Sequence, residues 1–216
     1  MVEIRRTANA GCLLTLDHVK ILLDGVCREE YPYLATPPAE RAFLSAARPD
    51  AIAFTHAHRD HFDPQFDYPG GVPILGTAEI SAAFPGHKVV SEALRVGNVS
   101  VTPVLTRHMG KASMEGHFSF VLQGSKCVWF MGDASPLALD AMKEFPGPDV
   151  LIAPYPYASS PAAIRKVHMI HPDRIVLVHL PLKERDPEGL WPSVASAASQ
   201  LQIPMIIPDM GQSLFL

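Results

Sequence analysis

The chain has 216 residues, 48% of them apolar and 19% charged, with a formal charge of −4. That balance excludes a disordered chain and offers no basic excess for general nucleic-acid binding, and the length sets one domain, 1–216, as the expectation. No apolar stretch nears the roughly 18 residues of a membrane span, the interrupted start does not read as a signal peptide, and Cys12, Cys27 and Cys127 lack CxxC spacing. The thiols are expected to be reduced and mostly buried in a cytoplasmic protein.

In chain order, Val2–Arg6, Cys12–Leu16 and Val19–Leu23 read as three short strands of a β-meander, with turns at Asn9-Ala10-Gly11 and Asp17-His18. Asp24-Gly25 closes the third strand, and 28–38 reads as an irregular polar and aromatic loop. A helix is predicted over Pro38–Ala47, with Ala39, Phe43, Leu44 and Ala47 on one side, followed by a buried strand over 50–55. Pro73 limits 72–75 to a short strand, and Thr77 is the expected N-cap of a helix over Ala78–Ala83. Val89–Val90 and Val99–Leu105 read as strands, and 118–122 with 127–131 as a hairpin around Gln123-Gly124-Ser125. Ser135-Pro136 and Ser160-Pro161 each read as N-cap and first residue of a helix, to about 145 and 170. Strands over 150–153 and 175–178, a helix over 192–201 and strands over 205–207 and Ser213–Phe215 complete an α+β (α/β) pattern.

The chemistry concentrates in Thr55-His56-Ala57-His58-Arg59-Asp60-His61, directly after the apolar run Ala51-Ile52-Ala53-Phe54. Side chains two apart on extended backbone point the same way, so His56 and His58 can face one point. A turn into a helix at Asp60 would send Asp60 and His61 toward a second point. Imidazole suits borderline metals and a carboxylate adds hard-oxygen character. Further donors stand at the ends of apolar strands: His108 after Val104-Leu105, Asp133 after Trp129-Phe130-Met131-Gly132, and His179 after Ile175-Val176-Leu177-Val178. Alone, Asp133 reads as a turn or cap residue and each histidine as a satisfied hydrogen-bonding residue; together with the cluster they read as a metal site.

The pattern His56, His58, Asp60, His61, then His108, Asp133 and His179 resembles the metallo-β-lactamase superfamily over nearly the whole chain. The resemblance implies a four-layer αββα sandwich with the site at one edge. It further implies one metal on His56, His58 and His108, a second on Asp60, His61 and His179, and Asp133 bridging. The pieces Arg107-His108-Met109-Gly110, Phe118-Ser119-Phe120-Val121 and Trp129-Phe130-Met131-Gly132-Asp133 are most similar to the ascorbate-6-phosphate lactonase-like and phosphodiesterase-like branch.

The expected function is therefore a binuclear hydrolase of a small phosphodiester, lactone or ester, with two divalent ions (Zn or Mn, with Fe the other option). A metal-bridging hydroxide would attack and Asp60 would orient its proton. Substrate contacts are expected from Ser113 and His117, which follow His108, and from Tyr155 and Tyr157 past the 150–153 strand. Two other classes stay open: a mononuclear iron oxidoreductase resembling persulfide dioxygenases, and a non-catalytic metal-binding module. A small-molecule substrate is the expected partner, with a homo-oligomer open.

Overall fold

The computed structural model describes residues 1–110 and 116–216. Ser113, one expected substrate contact, lies outside the described residues. The first half of the chain supplies β1 (Val2–Arg6), β2 (Cys12–Leu16), β3 (Val19–Leu23), α1 (Pro38–Ala47), β4 (Ala51–Ala53), β5 (Ile74–Leu75), α2 (Ala78–Ala83) and β6 (Val89–Val90). The second supplies β7 (Leu94–Val96), β8 (Val99–Leu105), β9 (Phe118–Gln123), β10 (Cys127–Phe130), β11 (Val150–Pro154), α3 (Pro161–Ile170), β12 (Arg174–Val178), α4 (Leu190–Leu201), β13 (Met205–Ile206) and β14 (Ser213–Phe215).

Two seven-stranded mixed sheets result, ordered β14-β1-β2-β3-β4-β5-β6 and β13-β12-β11-β10-β9-β8-β7. Both follow one plan. Antiparallel pairing runs through β1, β2 and β3 and through β7, β8, β9 and β10. Parallel pairing then takes over from β3 to β6 and from β10 to β13.

The layering follows from side-chain alternation along strands buried on both faces. Ile21, Leu23, Ala51, Ala53, Val128, Phe130, Val176 and Val178 meet between the sheets. Their alternates Leu22, Ile52 and Phe54 pack outward with Leu44 of α1 and Ile80 of α2. Trp129, Leu151 and Leu177 pack outward with Ile164 and Val167 of α3 and Val194 and Leu201 of α4. This is an αββα sandwich. Trp129, only 1% exposed, carries a large share of the outer core on its side; truncation to Ala costs about 3–5 kcal/mol by analogy with other buried aromatics.

Several sequence expectations need correction. The helix expected over 135–145 is a 3-10 helix, Pro136–Asp140, continued by turns. Its bonds run from residue i to i−3 as far as Phe145, and Pro146 ends it. Ser135 does cap it, accepting from Leu137 N–H. Thr77 makes no side-chain cap bond. The last helix starts at Leu190 rather than at 192, because the Asp186 carboxylate accepts from the N–H groups of Leu190 and Trp191. The short strand β7 carries too little pattern to be seen without its partner β8. After β4 the chain bends through a turn at 59–61 instead of entering a helix.

No helix among the described residues is long and apolar enough to cross a membrane. All three cysteines are free and buried.

Candidate metal centre

β1, β3, β4, β8, β10 and β12 deliver their C-terminal ends to one edge of the sandwich, where ligand sites of sheets with parallel strands gather. Those ends carry Asn9, Asp24, the 55–61 loop, Thr106 to His108, Asp133 and His179. The seven donors meet there. The ligand atoms of His56, His58 and His108 lie within 4.8 Å of one another, as do those of Asp60, His61, Asp133 and His179. Asp133 reaches both sets. Its Oδ1 is 3.1 Å from His61 Nε2 and 3.2 Å from His179 Nε2, and its Oδ2 is 3.5 Å from His108 Nε2.

Hydrogen bonds behind the cluster assign the imidazole tautomers. Thr55 Oγ1–H donates to Asp24 Oδ2 at 2.6 Å. With its proton so committed, Thr55 Oγ1 accepts from His56 Nδ1–H at 2.8 Å. His61 Nδ1–H donates to Asp24 Oδ2 at 2.9 Å, and His108 Nδ1–H donates to the Met109 carbonyl. In the neutral form of each ring the lone pair then falls on Nε2. All three Nε2 atoms, together with Asp133 Oδ1, are buried without a hydrogen-bond partner among the described residues. Buried acceptors left in this state cost free energy unless a cation or donor meets them. This donor set fits divalent metal, with nitrogen ligands at one end and mixed carboxylate and nitrogen at the other.

The carboxylates and imidazoles of the cluster bear strongly on one another's charge. Burial opposes the charge on Asp133, yet His179 and His61 hold its carboxyl well below the usual carboxylate range. Burial likewise works against protonation of His179, but Asp133 and Asp60 raise it to about 9. At His56 burial wins, helped by His61, and the ring stays a neutral base.

Asp24 was legible only as the close of a strand, but it is a site residue. It is fully buried, accepts from Thr55 N–H at 2.8 Å and orients His61. Its signal was available: it directly follows a buried apolar run, as Asp133 does after one intervening glycine. Asn9, read as a turn residue, donates to Asp60 Oδ2 at 3.1 Å. Gly11 and Gly132 permit this packing. A Cβ on Gly11 would lie 1.8 Å from the Asp24 carbonyl oxygen, and one on Gly132 would lie 2.5 Å from Thr55 Cγ2.

The expected substrate contacts divide. His117 lies behind the cluster, not in front of it: it is fully buried, and its Nε2 accepts from Asp133 N–H at 3.0 Å. Its Nδ1–H donates to Thr106 Oγ1, which donates to Ser119 Oγ, which donates to the Met131 carbonyl. Burial pushes His117 down to about 3, consistent with a neutral ring. Tyr157 is also buried, its hydroxyl donating to the Ser135 carbonyl at 3.2 Å. Both brace the Asp133 loop. Tyr155 stays half-buried, its ring 6.4 Å from that of His179. Tyr33, from a loop without any sequence signal, stands closer, edge-on to His179 at 4.4 Å.

Fold and donor set together define a metallo-β-lactamase-type domain, and residues 5–179 match the β-lactamase superfamily domain family. The chain belongs to that family. It is 30% identical over 99 residues to a metal-dependent hydrolase of Thermus thermophilus, a match covering 45% of this chain and 41% of that protein. The chain thus spans about two fifths of the length of the curated relatives it matches. Igni18, a metallo hydrolase of Ignicoccus hospitalis, superposes with a TM-score of 0.73 at 16% identity, covering 99% of this chain and 97% of that one. CmlA, a diiron β-hydroxylase of Streptomyces venezuelae, superposes with a TM-score of 0.66 at 15% identity over 100% of this chain and 54% of that one. At such identities the likeness is one of fold, and the fold hosts more than one chemistry.

Proposed function

We propose that the chain is a binuclear metal-dependent hydrolase of a small phosphodiester, lactone or ester. The observation that carries this reading is that the Nε2 atoms of His56, His61 and His108 and Asp133 Oδ1 are all buried without a hydrogen-bond partner among the described residues. The division of the donors into two sets, with Asp133 in reach of both, supports two ions rather than one. His56, His58 and His108 would hold the first; Asp60, His61 and His179 the second; Asp133 would lie between. Bound divalent ions would supply an acidified water and an electrophile for the substrate oxygen.

The protein's own part is positioning and proton handling. Asp60 accepts on Oδ2 from Asn9 Nδ2, with His179 Nε2 3.1 Å from the same oxygen, and its Oδ1 would orient the attacking water and receive its proton. No side-chain nucleophile is required. Cys12 and Cys127 are buried, and burial pushes both thiols up, Cys127 to about 11, so neither offers a thiolate. The sequence pieces around His108, Ser119 and Asp133 favour the ascorbate-6-phosphate lactonase-like and phosphodiesterase-like branch. The free, buried thiols favour a cytoplasmic setting.

Elemental analysis of the purified protein, then a screen of phosphodiesters, lactones and esters, tests the reading. Two Zn or Mn per chain with turnover on one of these classes is the expected result. One iron with oxygen uptake would replace hydrolysis with oxidation. Asp60→Ala should remove turnover while the unfolding transition persists; undiminished turnover would refute the role given to Asp60.

A further inference from the structure

The cluster is rich in acceptors and poor in donors. Its carboxylates and Nε2 atoms offer lone pairs, and Asn9 Nδ2 is committed to Asp60. Arg59, beside the cluster in sequence, pairs at 3.6 Å with Glu30 and is more than half exposed. The Tyr157 hydroxyl is spent on Ser135, and Tyr68 packs among Phe54, Phe66 and Phe84 in the outer core. Among the described residues this leaves Tyr33 and Tyr155 as O–H donors at the His179 side of the site.

Tyr33 is the better placed. Its ring meets His179 edge-on, with centroids 4.4 Å apart against 6.4 Å for Tyr155. Tyr155, Asp133, Asp60 and Glu188 are the ionisable groups that bear on its hydroxyl. The backbone there is held on several sides. Glu30 and Tyr33 exchange N–H to carbonyl bonds of 3.1 and 2.7 Å, and Arg28 N–H donates to the Arg59 carbonyl at 2.7 Å. Glu29 pairs with Arg185 on the segment after His179. The loop is thereby tied to the 56–61 turn and, through an exposed ion pair, to the 183–185 turn, which limits how far the phenol must be ordered on binding.

We propose that the Tyr33 hydroxyl donates a hydrogen bond to the substrate oxygen on which negative charge develops, with Tyr155 forming the second wall of the same opening. This rests on the hydrolase reading for its chemistry, but the placement of the donor does not. It assigns the site an oxyanion-forming substrate, a phosphoryl or carboxylic ester, and makes the loop after β3 the element that receives it.

The test compares Tyr33→Phe with wild type, both loaded with metal. Inorganic phosphate is titrated calorimetrically as a stable oxyanion probe, with metal content and thermal unfolding measured alongside. The expected result is unchanged metal content and melting with phosphate affinity reduced about 10-fold, the scale of a hydrogen bond to a charged group. On any substrate that wild type turns over, kcat should fall about 100-fold, the loss seen when one oxyanion donor is removed, with KM moving far less. Phosphate binding equally tight in Tyr33→Phe, or absent in metal-loaded wild type, would overturn the proposal. Failure of the substrate screen alone would count against the hydrolase reading and leave the phosphate result to decide on Tyr33.

Discussion

Asp24 and Asp133 occupy matching places in the two halves of the fold. Each follows the last antiparallel strand of its sheet, β3 or β10, where pairing switches to parallel. Each has its backbone N–H held, Asp24 by the Ala53 carbonyl at 3.0 Å and Asp133 by His117 Nε2. Their side chains do different work. Asp24 follows Leu23 directly and itself takes a left-handed φ of 43°, so its carboxylate stays behind the imidazoles and spends its oxygens on Thr55 and His61. Asp133 sits past Met131 and Gly132, and the left-handed step falls on Gly132, φ 54°. Those two added residues carry the carboxylate forward among the donors, where Oδ1 is unpaired. One architecture thus offers an acid twice. How far the chain runs beyond the strand decides whether the acid braces a histidine from behind or stands among the donors.

The comparison breaks or holds on substitutions at these two acids and their props. The largest effect is expected from Asp133→Ala, which removes the group shared by both donor sets. Bound metal should drop below two per chain by elemental analysis, and turnover should fall by about 10³-fold or more, the upper scale for losing a transition-state stabiliser. Asp24→Asn should do less. It keeps the shape but replaces the oxygen that fixes the His61 tautomer with a group that can turn a donor toward it. Metal affinity, read by chelator competition, should weaken about 10–100-fold. Equal damage from the two substitutions would show that the acids are not divided in role.

The smallest effect concerns the prop. His117→Phe leaves the Asp133 N–H without its acceptor and should cost about 1–3 kcal/mol in denaturant unfolding. His117→Gln, which retains an acceptor, should recover part of that loss. Equal stability of the two variants would show that the ring fills space and nothing more.

The local elements were readable in the chain itself. Val2–Arg6, Cys12–Leu16 and Val19–Leu23 declare themselves by apolar runs and tight turns, and Ser160-Pro161 declares a helix start, confirmed by the Ser160 side chain accepting from Ala163 N–H. The donor types at strand ends were also readable, because a polar residue stranded after a buried run needs a reason. Fourfold layering came through the family resemblance rather than through periodicity. Less visible were short or edge pieces such as β7, and the 3-10 geometry of Pro136–Asp140, where backbone spacing depends on what the segment must cover.

Residue order alone determined which donors exist and that each ends a strand, since those properties depend on neighbours a few positions away. Only the packed sheets decided that His117 and Tyr157 face inward as props, that Asn9 and Asp24 bond to members of the cluster, and that Tyr33 meets His179 edge-on. These are meetings between residues as far apart as Tyr33 and His179. They are set by how two twisted sheets close over a shared core, which no local pattern encodes.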